Sequence, residues 1–167
     1  MHVVEYLLNI SGIGQDRLTL CWVSAAEGKL FADYVTRFSE TIRQLMPFNP
    51  EQHKIQLEAV EKALGAPRLR WLIGMESTVT EKENVYKETI GKKEYQDLVM
   101  QNCEAEYYRA VILEILKEGP QSAREIAFKS GLPLYTVSLR LNDLERWHQA
   151  EFVDYDGNTA RFSCTYG

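Results

Sequence analysis

Over the first fifty positions the apolar residues change period twice. From His2 to Ile10, Val3, Leu7 and Ile10 recur at helical spacing, and Ser11-Gly12 closes the run like a C-cap. From Arg17 to Val23 the period becomes two. Leu18, Leu20 and Trp22 fall on one face and Thr19, Cys21 and Val23 on the other. Both faces are largely apolar, which predicts a strand covered on two sides, as in an α/β sheet. Ser24 and Glu27 then stand at capping-box spacing, the hydroxyl placed to accept from the Glu27 amide and the carboxylate to return the bond. The helix they open carries Phe31, Val35, Phe38, Ile42 and Leu45 along one stripe. Residues 1–48 thus read as helix, strand, helix: an α/β fragment. A lone strand leaves its amides and carbonyls unpaired on both edges. The fragment is therefore expected to be the end of a larger α/β domain, completed by upstream sequence or by a partner.

Residues 49–103 read as a helical connector. Asn49-Pro50 starts a helix with Pro at its first position, carrying Ile55, Leu57, Val60 and Leu64, and Gly65 with Pro67 ends it. A short helix is expected over Pro67–Met75 and a polar loop over Thr78–Gly91, with Val85-Tyr86 tucked against the fold. A further helix through Tyr95, Leu98 and Val99 is expected to end at Cys103.

Residues 104–167 show the most regular pattern. A helix over Glu104–Glu118 buries Tyr108, Val111, Ile112, Ile115 and Leu116 and stops at Gly119-Pro120. Ser122 and Glu125 repeat the capping-box spacing and open a second helix with Ile126 and Ala127. Gly131-Leu132-Pro133 is a tight turn, and a third helix runs from Leu134 to about Trp147 with Val137, Leu141 and Leu144 inward. Strands at Glu151–Asp154 and Ala160–Ser163 flank Asp156-Gly157, a hairpin signal because glycine tolerates positive φ. Three helices, a turn glycine and a β wing in that order predict a winged helix-turn-helix, mostly α with a small β wing.

Charge decides between two uses of such a domain. Residues 104–167 hold seven basic and ten acidic side chains, so 7 − 10 = −3, most of the −5 of the whole chain. A DNA reader needs the opposite balance near its recognition helix and wing. At about 100° per residue, Tyr135, Leu139, Asn142 and Arg146 lie opposite Val137, Leu141 and Leu144. Leu139 thus stands where a DNA reader offers a polar group to base edges. The outward stripe is read as a candidate protein contact. Were the domain a transcriptional regulator instead, Lys129, Thr136, Ser138, Arg140 and Arg161 would be its DNA contacts.

Reactive chemistry is scarce. Cys21, Cys103 and Cys164 are scattered, no CxxC occurs, and His2, His53 and His148 fit no metal spacing. No nucleophile stands with a base, and there is no Gly-rich phosphate loop and no carboxylate pair in a cleft-forming context. No catalytic, cofactor-binding or metal residue is assigned, and no activity is expected of the chain alone. Without a signal peptide or an apolar run of about 20 residues, a cytoplasmic protein with no membrane contact is expected.

The stretch Leu20–Phe31, LCWVSAAEGKLF, resembles the C-terminal part of the methyl-viologen-reducing hydrogenase delta subunit family, the hydrogenase iron–sulfur subunits. Trp22, Ser24, Ala25, Glu27, Gly28 and Phe31 carry the resemblance. Gly12-Ile13 followed by Arg17-Leu18 is similar to the run before it, and Leu45-Met46-Pro47 to the residues after it. These motif residues are read as structural, with Trp22 filling core. The resemblance implies an accessory or partial electron-transfer subunit, linking a hydrogenase or formate dehydrogenase to a heterodisulfide-reductase-like flavoprotein. The winged helix would then serve for protein docking. Any 2Fe-2S cluster is expected in a missing upstream part or a partner subunit, since the family's cluster cysteines lie before the first residue here.

Overall fold

The computed structural model describes residues 2–165. The elements follow in the order α1 (His2–Ile10), α2 (Gly28–Gln44), α3 (Lys54–Gly65), α4 (Pro67–Glu81), α5 (Lys92–Leu116), β1 (Gln121–Ser122), α6 (Ala123–Ser130), α7 (Leu134–Arg146), β2 (Ala150–Asp156) and β3 (Thr159–Cys164). Single 3-10 turns lie at Gln15–Arg17 and Glu51–His53. The protein is mostly helical, with one small antiparallel sheet.

Helix α5 is the axis on which α1, α3, α4, α6 and α7 pack. No Gly or Pro interrupts its 25 residues, so nothing ends the helix at Cys103, and the two helices expected on either side of that residue are one. Along its first half a single stripe is buried, Tyr95, Val99, Cys103 and Tyr107, each four residues from the last. Beyond Tyr107 nearly every face is covered: Arg109, Ala110, Val111, Ile112, Glu114, Ile115 and Leu116 are all buried. This change from one wet side to none explains why the pattern reads as two helices. The Tyr95 hydroxyl donates to the Leu72 carbonyl at 2.6 Å, tying α4 to the start of α5. Lys62 of α3 pairs with Glu114 near its end, and Leu7 of α1 is fully buried in the same core.

Helix α4 continues six residues past the expected Met75, because Gly74 is exposed and no Pro follows to break the ladder. Val85 and Tyr86 do not tuck in; both are exposed, in a loop held by the Asn84 side chain, which accepts from the amides of Tyr86 (2.8 Å) and Glu88 (3.0 Å).

The C-terminal elements follow the sequence pattern closely. Both halves of the Ser122–Glu125 capping box are formed, with the Glu125 amide donating to Ser122 Oγ (3.3 Å) and the Ser122 amide to Glu125 Oε2 (2.7 Å). Gly131, at φ 71°, turns the chain into α7, whose Val137, Leu141 and Leu144 are buried. The sheet runs β1-β3-β2, with Phe152 opposite Phe162 and a bulge before Asp154. Strand β1 is an addition that two residues could not signal.

The front segment departs most from expectation. Residues 18–23 form no strand, and the helix–strand–helix α/β fragment is therefore not present as such. A strand needs a neighbour to accept its hydrogen bonds, and the described residues offer none here. The Ser24–Glu27 box is half made. The Ser24 amide donates to Glu27 Oε2 at 2.8 Å, but the Ser24 hydroxyl accepts from Ala26 at 3.4 Å. The segment 24–27 is consequently a turn, and α2 begins only at Gly28, with Glu27 as its N-cap.

Candidate protein-docking surfaces

Two exposed apolar surfaces stand out. The first is an arm, residues 18–45, that leaves the body after one clasp and returns at the same place. Arg17 makes that clasp, its Nε donating to the Ile13 carbonyl (3.0 Å) and its Nη2 to the Met46 carbonyl (2.8 Å). The guanidinium also lies 5.2 Å over the ring of Phe48, which stacks on His53 at 5.1 Å. Between these anchors no residue of α2 is buried. Tyr34, Phe38, Thr41 and Leu45 are half-buried, whereas Phe31, Val35 and Ile42 are exposed. Trp22, expected in a core, is 87% exposed, because no second layer reaches it. Ser24, Ala25, Glu27 and Gly28 are exposed as well.

The second surface is the outer side of α6 and α7. Tyr135 (77% exposed), Leu139 (40%), Asn142 and Arg146 lie on α7 opposite its buried stripe. Two residues that helical spacing alone does not single out add to the apolar surface of these helices: Phe128 of α6, 91% exposed, and Leu134 at the start of α7. An apolar side chain on the polar side of a short helix is the available signal.

The three basic residues expected as DNA contacts are already ion-paired. Lys129 Nζ lies 2.6 Å from Glu118 Oε2, Arg140 Nη1 2.6 Å from Asp143 Oδ2, and Arg161 Nε 3.0 Å from Asp154 Oδ1. Ser138 donates its hydroxyl to the Leu134 carbonyl at 3.0 Å, and Thr136 is half-buried. Phosphates would have to displace these carboxylates, against a local charge that is already negative.

Neither a reactive centre nor a cluster site comes together among the described residues. Among the described residues no group of three or more His, Cys, Asp or Glu side chains could hold a metal ion. Cys103 is fully buried, and burial, then Glu104 and Glu106, pushes its thiol up to about 12. A cleft of about 550 Å³ opens between the α3–α4 corner, α5 and Trp147. Its buried Arg109 is paired with Glu106 (2.6 Å) and Asp143 (3.1 Å) and stacked 4.5 Å over Trp147, so the guanidinium is committed to the fold. No described helix is long and apolar enough to cross a membrane.

The arm and the helix before it are also where sequence similarity lies. Residues 1–46 match the methyl-viologen-reducing hydrogenase delta subunit family. The chain is 46% identical over 50 residues to an F420-non-reducing hydrogenase iron-sulfur subunit of Archaeoglobus profundus, which is 30% of this chain and 36% of that protein. It therefore spans about a third of the length of this curated relative. No solved structure matches the chain. The delta-subunit-like segment thus consists of α1, which is anchored in the core, the Arg17 clasp, and an arm with exposed apolar residues such as Trp22, Phe31 and Val35.

Proposed function

We propose that this protein is a non-catalytic, hydrogenase-associated subunit of an electron-transfer complex. Its delta-subunit-like segment would join the redox assembly, and residues 104–167 would form a winged helix-turn-helix used for protein docking. The observation that carries the reading is the 46% identity to a hydrogenase iron-sulfur subunit over 50 residues. The order helix, β1, α6, turn, α7, β2, β3 supports the winged-helix assignment. The exposed Phe128, Tyr135 and Leu139, with the ion-paired Lys129, Arg140 and Arg161, favour protein over DNA as its partner. A heterodisulfide-reductase-like flavoprotein on one side and a hydrogenase or formate dehydrogenase on the other are the partners proposed. Any 2Fe-2S cluster is proposed to sit outside these 167 residues.

The test is anaerobic native purification, with intact mass, co-purifying proteins and iron determined on one sample. Hydrogenase subunits and iron in stoichiometric amounts are expected to co-purify. Recovery of the chain alone, at its calculated mass and without iron, would overturn the proposal.

A further inference from the structure

We infer that the arm completes the sheet of an α/β partner domain: residues 18–23 add as a strand to the partner's open sheet edge, and Phe31, Val35 and Ile42 pack across its strands. The partner is a polypeptide carrying delta-subunit-type sequence outside the 50 matched residues. The inference rests on the reading above and names the partner of the front segment.

Three features of the arm point the same way. The backbone groups of residues 19–23 make no hydrogen bond with the described residues, although Leu18, at their start, is already extended. Five consecutive residues thus keep both edges free, the condition for adding to a sheet edge. From Leu20 to Val23 the side chains alternate, Leu20 and Trp22 exposed against Cys21 and Val23 half-buried, and these four are apolar, whereas Thr19 is exposed and polar. A strand of that composition belongs between two layers. Helix α2 supplies one layer. At about 100° per residue, Phe31, Val35 and Ile42 fall within about 40° of one another, beside the half-buried Tyr34, Phe38 and Leu45. Only part of the apolar stripe is used within this chain, and the free part continues it.

The nature of the occupant follows from what each candidate could supply. A second copy of this chain would bring one more lone strand, leaving the outer edges of the pair unsatisfied. Its three-stranded sheet is a poor acceptor, since β2 carries Glu151, Asp154 and Asp156 and is bulged before Asp154. The relative, by contrast, has about two thirds of its length outside the match. The segment that is exposed here is part of a longer chain there, and a polypeptide carrying that remaining sequence is the occupant this inference assigns.

Hydrogen exchange on the free full-length chain and on the natively isolated complex tests this. Amides of residues 19–23 should exchange at least ~100-fold more slowly in the complex. The double variant Leu20→Asp/Val35→Asp alters only exposed positions. It should keep the wild-type circular dichroism and melting curve, yet retain at least ~10-fold less partner, since each Asp would be buried unpaired. Equal exchange in both samples, undiminished partner in the folded variant, or self-association through the arm would overturn the inference. Two further outcomes separate it from the broader reading. Hydrogenase subunits co-purifying with residues 19–23 unprotected would overturn this inference alone. An α/β partner protecting the arm without hydrogenase subunits would overturn the functional reading and support this one.

Discussion

Glu114 lies in α5 with its side chain only 3% exposed, and it is nevertheless ionised. Burial works to raise its pKa, but hydrogen bonds from Lys117 and Lys62, with the attraction of Lys62, outweigh this and hold the carboxyl at about 2. A folded value below the unfolded one near 4.5 means that the cluster's contribution is complete above pH 4.5 and is lost as pH falls toward 2. Glu114→Gln keeps the volume and removes the charge. Because Lys62 and Lys117 can turn to water, the expected cost at pH 7 is about 2 kcal/mol, below the ~3–5 of a fully buried broken pair. Urea midpoints should show the wild-type advantage shrinking between pH 4.5 and pH 2; an advantage independent of pH would contradict the assignment. Its burial is not legible in the sequence: Lys117 stands three residues on, but Lys62 arrives from α3. Val137, Leu141, Leu144 and the Ser122 cap are legible, because each depends on neighbours within one helical turn or two.

At the scale of elements, the arm is held by one side chain. Arg17 alone grips both ends of the excursion, and few other contacts fix it. Arg17→Ala is expected to raise the rate of limited proteolysis within residues 18–46 by about 10-fold, while global stability falls by about 1 kcal/mol or less. Arg17→Lys should rescue little, because an ammonium lacks the fork that reaches two carbonyls and a ring together. Unchanged cleavage in both variants would mean that the arm holds itself. Helices are the readable elements because their hydrogen bonds are internal. The strand expected over residues 17–23 fails for the complementary reason: its pattern describes an environment, two covered faces, that this chain does not by itself supply. The pattern of α5 divides where its surroundings change, although its backbone does not.

For the whole molecule, the second docking surface should behave independently of the arm. Leu139→Asp places a charge at an exposed site, so stability should stay within about 0.5 kcal/mol. Recovery of native partners should drop at least ~10-fold if α7 docks on protein. Normal recovery, or salt-sensitive DNA binding by the wild-type chain, would count against protein docking. The charge balance and outward stripe are readable from the residues alone, whereas the exposure of Phe128 depends on how α6 lies beside α7.

The unbroken α5 couples the two surfaces in angle as well as distance. Its 25 residues span roughly 37 Å at about 1.5 Å each, with α1, from which the arm extends, packed on it and α6–α7 near its far end. One residue inserted midway would twist one surface against the other by about 100° while lengthening the rod by only about 1.5 Å. The protein is thus keyed like an axle with a fixed phase, and two partners bound to it can meet each other at a single azimuth.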